Sequence, residues 1–208
     1  MKLLFKKFGG HVIEDLGKYL RDYLSEYPNT SVYVGTDSQN AGRENCYVTV
    51  VALYDEDRKD GVHYIFAKTY GKRIDDTFLK MWEEVEKSLE VANYLEEELE
   101  GYLKRFSSDE LLKIKSDELR KPVSERDLSK SSYGVHQTKL VGIDVDVNPD
   151  FGGGRNKSNT AYIASKSYLT GFGYRVRYKP HAWSASCAAD FRLKRKKRRR
   201  PHKKKKST

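Results

Sequence analysis

The stretch that decides the fold lies within the first fifth of the chain and reads Ser31-Val32-Tyr33-Val34-Gly35-Thr36-Asp37-Ser38. Its β-branched and aromatic residues predict a strand, and its polar end predicts a turn. Two further strands are predicted at residues 46–54 and 62–70. The short polar segments between the three strands suit hairpins, so we expect an antiparallel meander.

The sequence on either side of the meander has a helical period. Apolar residues recur every three or four positions at 11–27, where Pro28 ends the pattern, and again at 76–99. Residues 100–138 are polar and predict an inserted helical or loop excursion. Strands and helices then alternate over residues 139–147, 158–169, 174–178 and 182–194.

This order predicts an α/β fold with a mixed five-stranded sheet, in which three antiparallel strands precede a βαβα unit. The arrangement resembles the ribonuclease H-like fold, with an extra N-terminal helix. We expect residues 1–30 to be a helical segment that packs on the core. Residues 31–193 would form the domain itself, and residues 194–208 a disordered polybasic tail.

The charge is distributed unevenly along the chain. The formal net charge is +10, but residues 194–208 hold eleven Lys or Arg and no acid, so the remaining residues balance at 29 basic and 30 acidic side chains. Such a tail is expected to bind DNA or RNA through counterion release, without sequence preference. Nucleic acid is therefore the expected partner, and neither a membrane nor a small-molecule cofactor is expected.

Five acidic residues fall where a hydrolytic metal site would need them. Asp37 ends the first predicted strand, Asp144 and Asp146 share one face of the fourth, and Asp190 lies in the last helix. Glu84 lies at the edge of the apolar stripe of the long helix. Carboxylates from separate elements suit Mg²⁺ or Mn²⁺, and two such ions activate water and stabilise the leaving oxygen in phosphodiester hydrolysis.

Each acid also has an ordinary structural interpretation. Asp37 could be a turn or capping residue, Glu84 one of many surface acids, and Asp190 the polar end of its helix. Asp146 lies in an otherwise apolar strand, where an unpaired acid is costly. Asp144 is an alternative candidate for this metal ligand, or it could contact and position the ligands without binding metal itself. The metal-site hypothesis depends on four separate elements agreeing with one architecture.

The chain resembles the YkuK family of ribonuclease H-like proteins over roughly residues 5–192. The motifs that carry this resemblance are Val34-Gly35-Thr36-Asp37-Ser38-Gln39, Val145-Asp146-Val147, Lys157-Ser158, Lys179-Pro180, Ala185-Ser186 and Ala188-Ala189-Asp190. The resemblance implies metal-site roles for Asp37, Glu84, Asp146 and Asp190. The chain departs from the family pattern in having Asp144 where a His is usual and His181 where an Asp is usual, and in its excursion and tail.

Several basic residues are candidates for contact with nucleic acid. His181 precedes the last helix and could assist proton transfer, although a surface histidine is an equal alternative. The glycine-rich loop at 152–157 leads into a helix N-terminus, which favours phosphate, but it lacks the Walker ending. The predicted nucleic-acid-binding residues are Arg155, Lys157, Lys179, Lys194, Arg195, Lys196, Lys197, Arg198, Arg199 and Arg200.

The leading hypothesis is a metal-dependent nuclease acting on RNA, DNA or a hybrid. The main alternative is a nucleic-acid-binding protein on the same scaffold that does not cut. A third is an adaptor that binds through its tail. Cys46 and Cys187 predict reduced thiols and no disulfide framework. The basic N-terminus lacks a signal-peptide apolar stretch, so we expect a cytoplasmic location, with nucleoid association as an option.

Overall fold

The computed structural model describes residues 3–55, 62–102, 120, 139–148 and 157–194. The strands are β1 (Phe5–Lys7), β2 (Thr30–Ala41), β3 (Glu44–Asp55), β4 (His63–Lys72), β5 (Gly142–Val145) and β6 (Arg175–Tyr178). The helices are α1 (Leu16–Glu26), α2 (Thr77–Glu98), α3 (Lys157–Gly171), a π-helix (Ser184–Ala189) and α4 (Asp190–Lys194). The predicted excursion lies outside the described residues except for 100–102 and 120, and so do the glycine-rich loop at 152–156 and residues 195–208.

The six strands form one mixed sheet in the order β1-β4-β3-β2-β5-β6. Strands β1 to β4 pair antiparallel, whereas β5 runs parallel to β2 and β6 runs parallel to β5. This topology confirms the predicted α/β class and ribonuclease H-like architecture. The sequence predicts five strands, whereas the sheet of the described residues has six. The additional strand is β1, which has only three residues and no alternation of its own. It exists as an edge strand because its backbone pairs with β4.

The first hairpin is longer than the sequence predicts. Residues 39–45 were expected to form a polar connection, but pairing continues to Ala41 opposite Glu44 and leaves a two-residue turn. Gly42 occupies the turn with φ +73°, a conformation that other residues rarely adopt. The hydrogen bonds between paired strands are made by the backbone, so polar side chains at the tip of the hairpin do not interrupt them. The two strands therefore extend beyond their apolar residues.

Helices cover both faces of the sheet. On one face, α1, α2 and α3 bury an apolar core that includes Leu20, Val34, Leu89, Leu95 and Ile143. On the other face, the π-helix and α4 cover a smaller cluster that includes Val48, Val50, Ala188, Ala189 and Leu193. Burial of these apolar side chains on both faces is the main source of stability of such a sandwich.

The last predicted helix, at 182–194, begins instead as a π-helix that packs very closely on β2. A Cβ atom at Gly35 would lie 2.5 Å from Ser184 Oγ and 2.6 Å from the Ala185 nitrogen. Only glycine permits this approach, and Ala185 and Ala188 keep the helix face small. The close packing brings Asp190, at the start of α4, within electrostatic reach of Asp37 on β2.

Candidate active site

The sheet register brings two of the predicted acids side by side. In the parallel pairing of β2 with β5, Gly35 lies opposite Asp144. Two residues further along each strand come Asp37 and Asp146, which therefore lie next to each other on the same side of the sheet. Strand β5 ends at Val145 rather than at the predicted residue 147, so Asp146 follows the strand directly.

Asp37 is partly buried within β2, opposite Val48 of β3, because the strand continues to Ala41 instead of ending in the predicted turn. The Ser38 backbone N–H donates to Asp37 Oδ1 at 2.7 Å. The pKa of Asp37 is raised to about 6, chiefly by burial and also by the nearby carboxylates of Asp146 and Asp190, against the opposing effects of the Ser38 hydrogen bond and the Lys80 ammonium. The order of these effects indicates a carboxyl group that is held away from water among other acids.

Glu84 reaches the site from α2. The Ser38 hydroxyl donates to Glu84 Oε1 at 2.5 Å, and α2 is fixed to the sheet one turn later by the Ser88 hydroxyl, which donates to Thr36 at 2.9 Å. The pKa of Glu84 is raised to about 8, with burial as the largest cause and the charges of Asp37 and Asp146 as smaller ones. Glu84 therefore carries its proton at neutral pH unless a cation replaces it.

Asp146 has an ionic partner but lacks a complete hydrogen-bond shell. Lys179 Nζ, just after β6, lies 2.8 Å from Asp146 Oδ1. The ammonium approaches outside the hydrogen-bonding direction, so this buried oxygen has an ionic contact without a hydrogen bond. Because the lone-pair directions of this buried oxygen are not used by a hydrogen-bond donor, a divalent cation could coordinate it there.

Asp190 completes the set from the opposite layer. It is the first residue of α4, and its charge raises the pKa of Asp37. Lys194, one turn further along the same helix, pairs with Asp190 Oδ2. This lysine is 68% exposed, so a cation arriving from solvent could displace it at a small cost.

Both carboxylate oxygens of Asp144 already accept hydrogen bonds from the protein. Arg177 binds it with two hydrogen bonds, Nε to Oδ1 at 2.7 Å and Nη2 to Oδ2 at 2.9 Å. The Ser184 backbone N–H and hydroxyl donate to Oδ2 at 2.8 and 2.6 Å. Arg177 in turn packs against both Tyr33 and Tyr54, with its guanidinium carbon 3.4 Å from the Tyr33 ring centroid and 4.7 Å from that of Tyr54. Asp144 therefore ties β5, β6 and the π-helix together behind the site.

The four remaining acids offer the oxygen donors that a hard divalent cation prefers. The mutual effects on pKa place Asp37 within electrostatic reach of Asp146 and Asp190, and Glu84 within reach of Asp37 and Asp146. Within the described ranges, no three His, Cys, Asp or Glu side chains converge closely enough, as they stand, to ligate one ion. The carboxylate donors, and the Asp146 oxygen that accepts no hydrogen bond, fit such an ion. Ligation would require the side chains of Asp146 and Asp190 to turn away from their lysine partners.

The predicted auxiliary and nucleic-acid-binding residues lie in different places. His181 is exposed on the turn before the π-helix, where its backbone N–H donates to the Tyr178 carbonyl at 2.8 Å. Lys179 and Lys194 lie in the site as ion-pair partners of its acids. Lys157 begins α3. The other predicted basic residues, Arg155 and 195–200, lie outside the described residues.

Sequence reasoning missed the residues that hold the acids in place. Lys80 lies one turn before Glu84 on α2 and lowers the pKa of both Glu84 and Asp37. The i, i+4 spacing was a visible signal for this lysine. Ser38 was part of the quoted motif but had no role assigned. Arg177 and Ser184 had no signal, because their partner Asp144 is at least 33 residues away in the chain.

The comparisons with known proteins identify the family. The family model described as Ribonuclease H-like matches residues 11–194. The chain belongs to this family, and the resemblance to its YkuK members is confirmed. No curated protein and no solved structure matches the chain. Among the described helices, none has both the length and the apolar character needed to cross a bilayer.

Proposed function

We propose that the protein is a metal-dependent nuclease that hydrolyses phosphodiester bonds of RNA, DNA or a hybrid. The observation that carries the proposal is the gathering of four carboxylates from four separate elements, two of which have pKa values raised to about 6 and about 8. Such an arrangement destabilises the folded protein without a cation, so a purpose other than stability is indicated. Membership of the ribonuclease H-like family supports a nucleic-acid substrate.

Asp37, Glu84, Asp146 and Asp190 would hold Mg²⁺ or Mn²⁺. When bound, the divalent ions supply the charge that generates a hydroxide nucleophile at neutral pH and stabilises the leaving oxygen. Asp144 is left out of this ligand set because its oxygens already accept four hydrogen bonds. Its role is to position β5, and thereby Asp146, through Arg177 and Ser184.

The basic residues of the site have two roles in the proposal. Lys179 and Lys194 neutralise Asp146 and Asp190 in the metal-free protein, and after metal binding their ammonium groups become available to substrate phosphates. Lys80 lowers the pKa of Asp37 and Glu84, which favours the ionised carboxylates that a metal needs. The basic sequence from residue 194 onward would hold the polyanion near the site.

The test is a cleavage assay on labelled single-stranded, duplex and hybrid substrates, with Mg²⁺, Mn²⁺ or chelator. Wild type is expected to cut only with metal, and Asp37→Asn is expected to lose at least about 100-fold in rate, because it removes the charge of one carboxylate that would hold the metal. Asp22→Asn, at an exposed position of α1, is the matched control and should cut like wild type. Cleavage that survives in Asp37→Asn would refute the proposed site.

A second candidate function is binding of nucleic acid without cleavage. The ion pairs Lys179–Asp146 and Lys194–Asp190 favour it, because each acid already has a cationic partner in the absence of metal. This alternative predicts salt-sensitive binding by wild type and no cleavage with either metal. A cytoplasmic location remains a prediction under both candidates.

A further inference from the structure

A pair of nearly parallel aromatic rings lies on the surface, and one of the two residues is next to Asp190 in the sequence. The rings of Phe8 and Phe191 have centroids 6.5 Å apart and planes only 8° from parallel. Their residues are 54% and 50% exposed. Exposed aromatic surface of this size on two rings from distant parts of the chain costs solvation free energy that burial would have recovered.

The rings are held in place from behind by a buried arginine. Arg192 is 4% exposed, and its guanidinium carbon lies 4.5 Å from the Phe8 ring centroid and 4.1 Å from that of Phe66. Arg192 Nη2 also donates to the Phe8 carbonyl at 2.8 Å. These contacts fix the position of Phe8 relative to α4, but they leave the outer part of both rings in water.

The position of the pair links it to the site and to a basic stretch of sequence. Phe191 follows Asp190 directly, so their Cα atoms are about 3.8 Å apart, and Asp190 acts electrostatically on Asp37. Eleven Lys or Arg begin three residues further on, at Lys194. A ligand that contacts both the two rings and this basic stretch would carry flat aromatic groups and negative charge, which is the chemistry of a nucleic acid.

We propose that the Phe8–Phe191 pair stacks an unpaired base, so that the protein prefers single-stranded nucleic acid over duplex. A duplex keeps the faces of its bases covered except at its ends, whereas a single strand offers them to aromatic side chains. The proposal rests on the proposed function for its substrate class and deepens it by naming the strandedness. It assigns the aromatic pair to binding and leaves the chemical step to the acids.

The test measures binding of a labelled 12-residue oligonucleotide and of the corresponding blunt duplex by fluorescence anisotropy, in chelator so that nothing is cleaved. About 0.3 M salt weakens the contribution of the basic sequence while leaving stacking largely intact. Phe191→Leu and Phe8→Leu keep apolar volume and remove the aromatic face. Each should weaken single-strand binding by about 5- to 20-fold and change duplex binding by less than about twofold.

Two further variants keep the outcome decisive. Phe191→Trp should retain single-strand affinity because it restores an aromatic face, even if Phe191→Leu loses some stability. Phe172→Leu, at an equally exposed phenylalanine (50% exposed) in the turn directly after α3, should bind like wild type. Unchanged binding in both Leu variants, an equal loss for single strand and duplex, or a Trp variant as weak as the Leu variant would each overturn the inference. Because cleavage is absent from this assay, those results would leave the nuclease proposal standing.

Discussion

Replacement of Glu84 by Gln tests whether the acidic site is destabilising in the metal-free protein. Glutamine keeps the length of the side chain and a carbonyl oxygen that can accept the Ser38 hydrogen bond, but it cannot ionise. The pKa of Glu84 is raised from 4.5 to about 8, with burial as the largest cause. The substitution removes the charge while leaving the packing of α2 in place.

The direction of the effect follows from proton linkage. Because the pKa of Glu84 is higher in the folded than in the unfolded chain, the folded state binds more protons between pH 4.5 and 8. The contribution of Glu84 to stability therefore falls as pH rises through this window and levels off above pH 8. A shift of this size corresponds to at most about 5 kcal/mol, and the partial exposure of the group reduces the expected value to about 2 to 3 kcal/mol.

The assay is urea unfolding in chelator, followed by tryptophan fluorescence at pH 5, 7 and 8.5. Relative to wild type, Glu84→Gln is expected to gain about 2 to 3 kcal/mol in free energy of unfolding between pH 5 and pH 8.5. Glu83→Gln is the matched control, because Glu83 lies next to Glu84 on α2 and pairs with Lys87 at 3.0 Å near the surface; its effect should vary by less than about 1 kcal/mol. A difference between Glu84→Gln and wild type that does not change with pH would refute the reasoning.

Two further substitutions probe the support of the site. Asp144→Asn should destabilise the protein by about 3 to 5 kcal/mol in urea unfolding, since it leaves the Arg177 guanidinium largely buried without its counter-charge; a loss under about 1 kcal/mol would show that the pair does not hold β5. Gly35→Ala should cost about 1 to 3 kcal/mol, because its Cβ would meet Ser184 Oγ at 2.5 Å. Thermal unfolding checks this second change, and an unchanged Tm would contradict the close packing of the π-helix on β2.

The meander, α1 and α2 could be predicted because their apolar residues form runs typical of strands or recur every three or four positions. These patterns come from burial of β2 to β4 between two layers of core and of one side of α1 and α2 against the sheet. Strand β1 could not be predicted, because three residues carry no period and depend on pairing with β4. The π-helix could not be predicted either, because its small residues suit an α-helix equally well.

For the candidate site, the acids could be predicted from the sequence, but the residues that surround them could not. Asp37 and Asp146 could be selected because strand ends and apolar strands make an acid conspicuous. The two-residue spacing placed Asp144 and Asp146 on one face, but it could not distinguish their environments. That difference comes from Arg177 and Ser184, which lie on other elements and donate hydrogen bonds to Asp144 but not to Asp146. Partners brought together by tertiary structure leave no mark in the local sequence.

The central claim is that the four acids around Asp37 form a divalent-metal site. Its most direct test is titration of the full chain with Mn²⁺ at pH 7.5, with free Mn²⁺ measured by electron paramagnetic resonance. Wild type is expected to bind Mn²⁺ and to release it on addition of Mg²⁺, while Asp37→Asn and Asp146→Asn should each weaken binding by at least about tenfold. Wild type that binds no Mn²⁺, or variants that bind it as tightly as wild type, would contradict the claim.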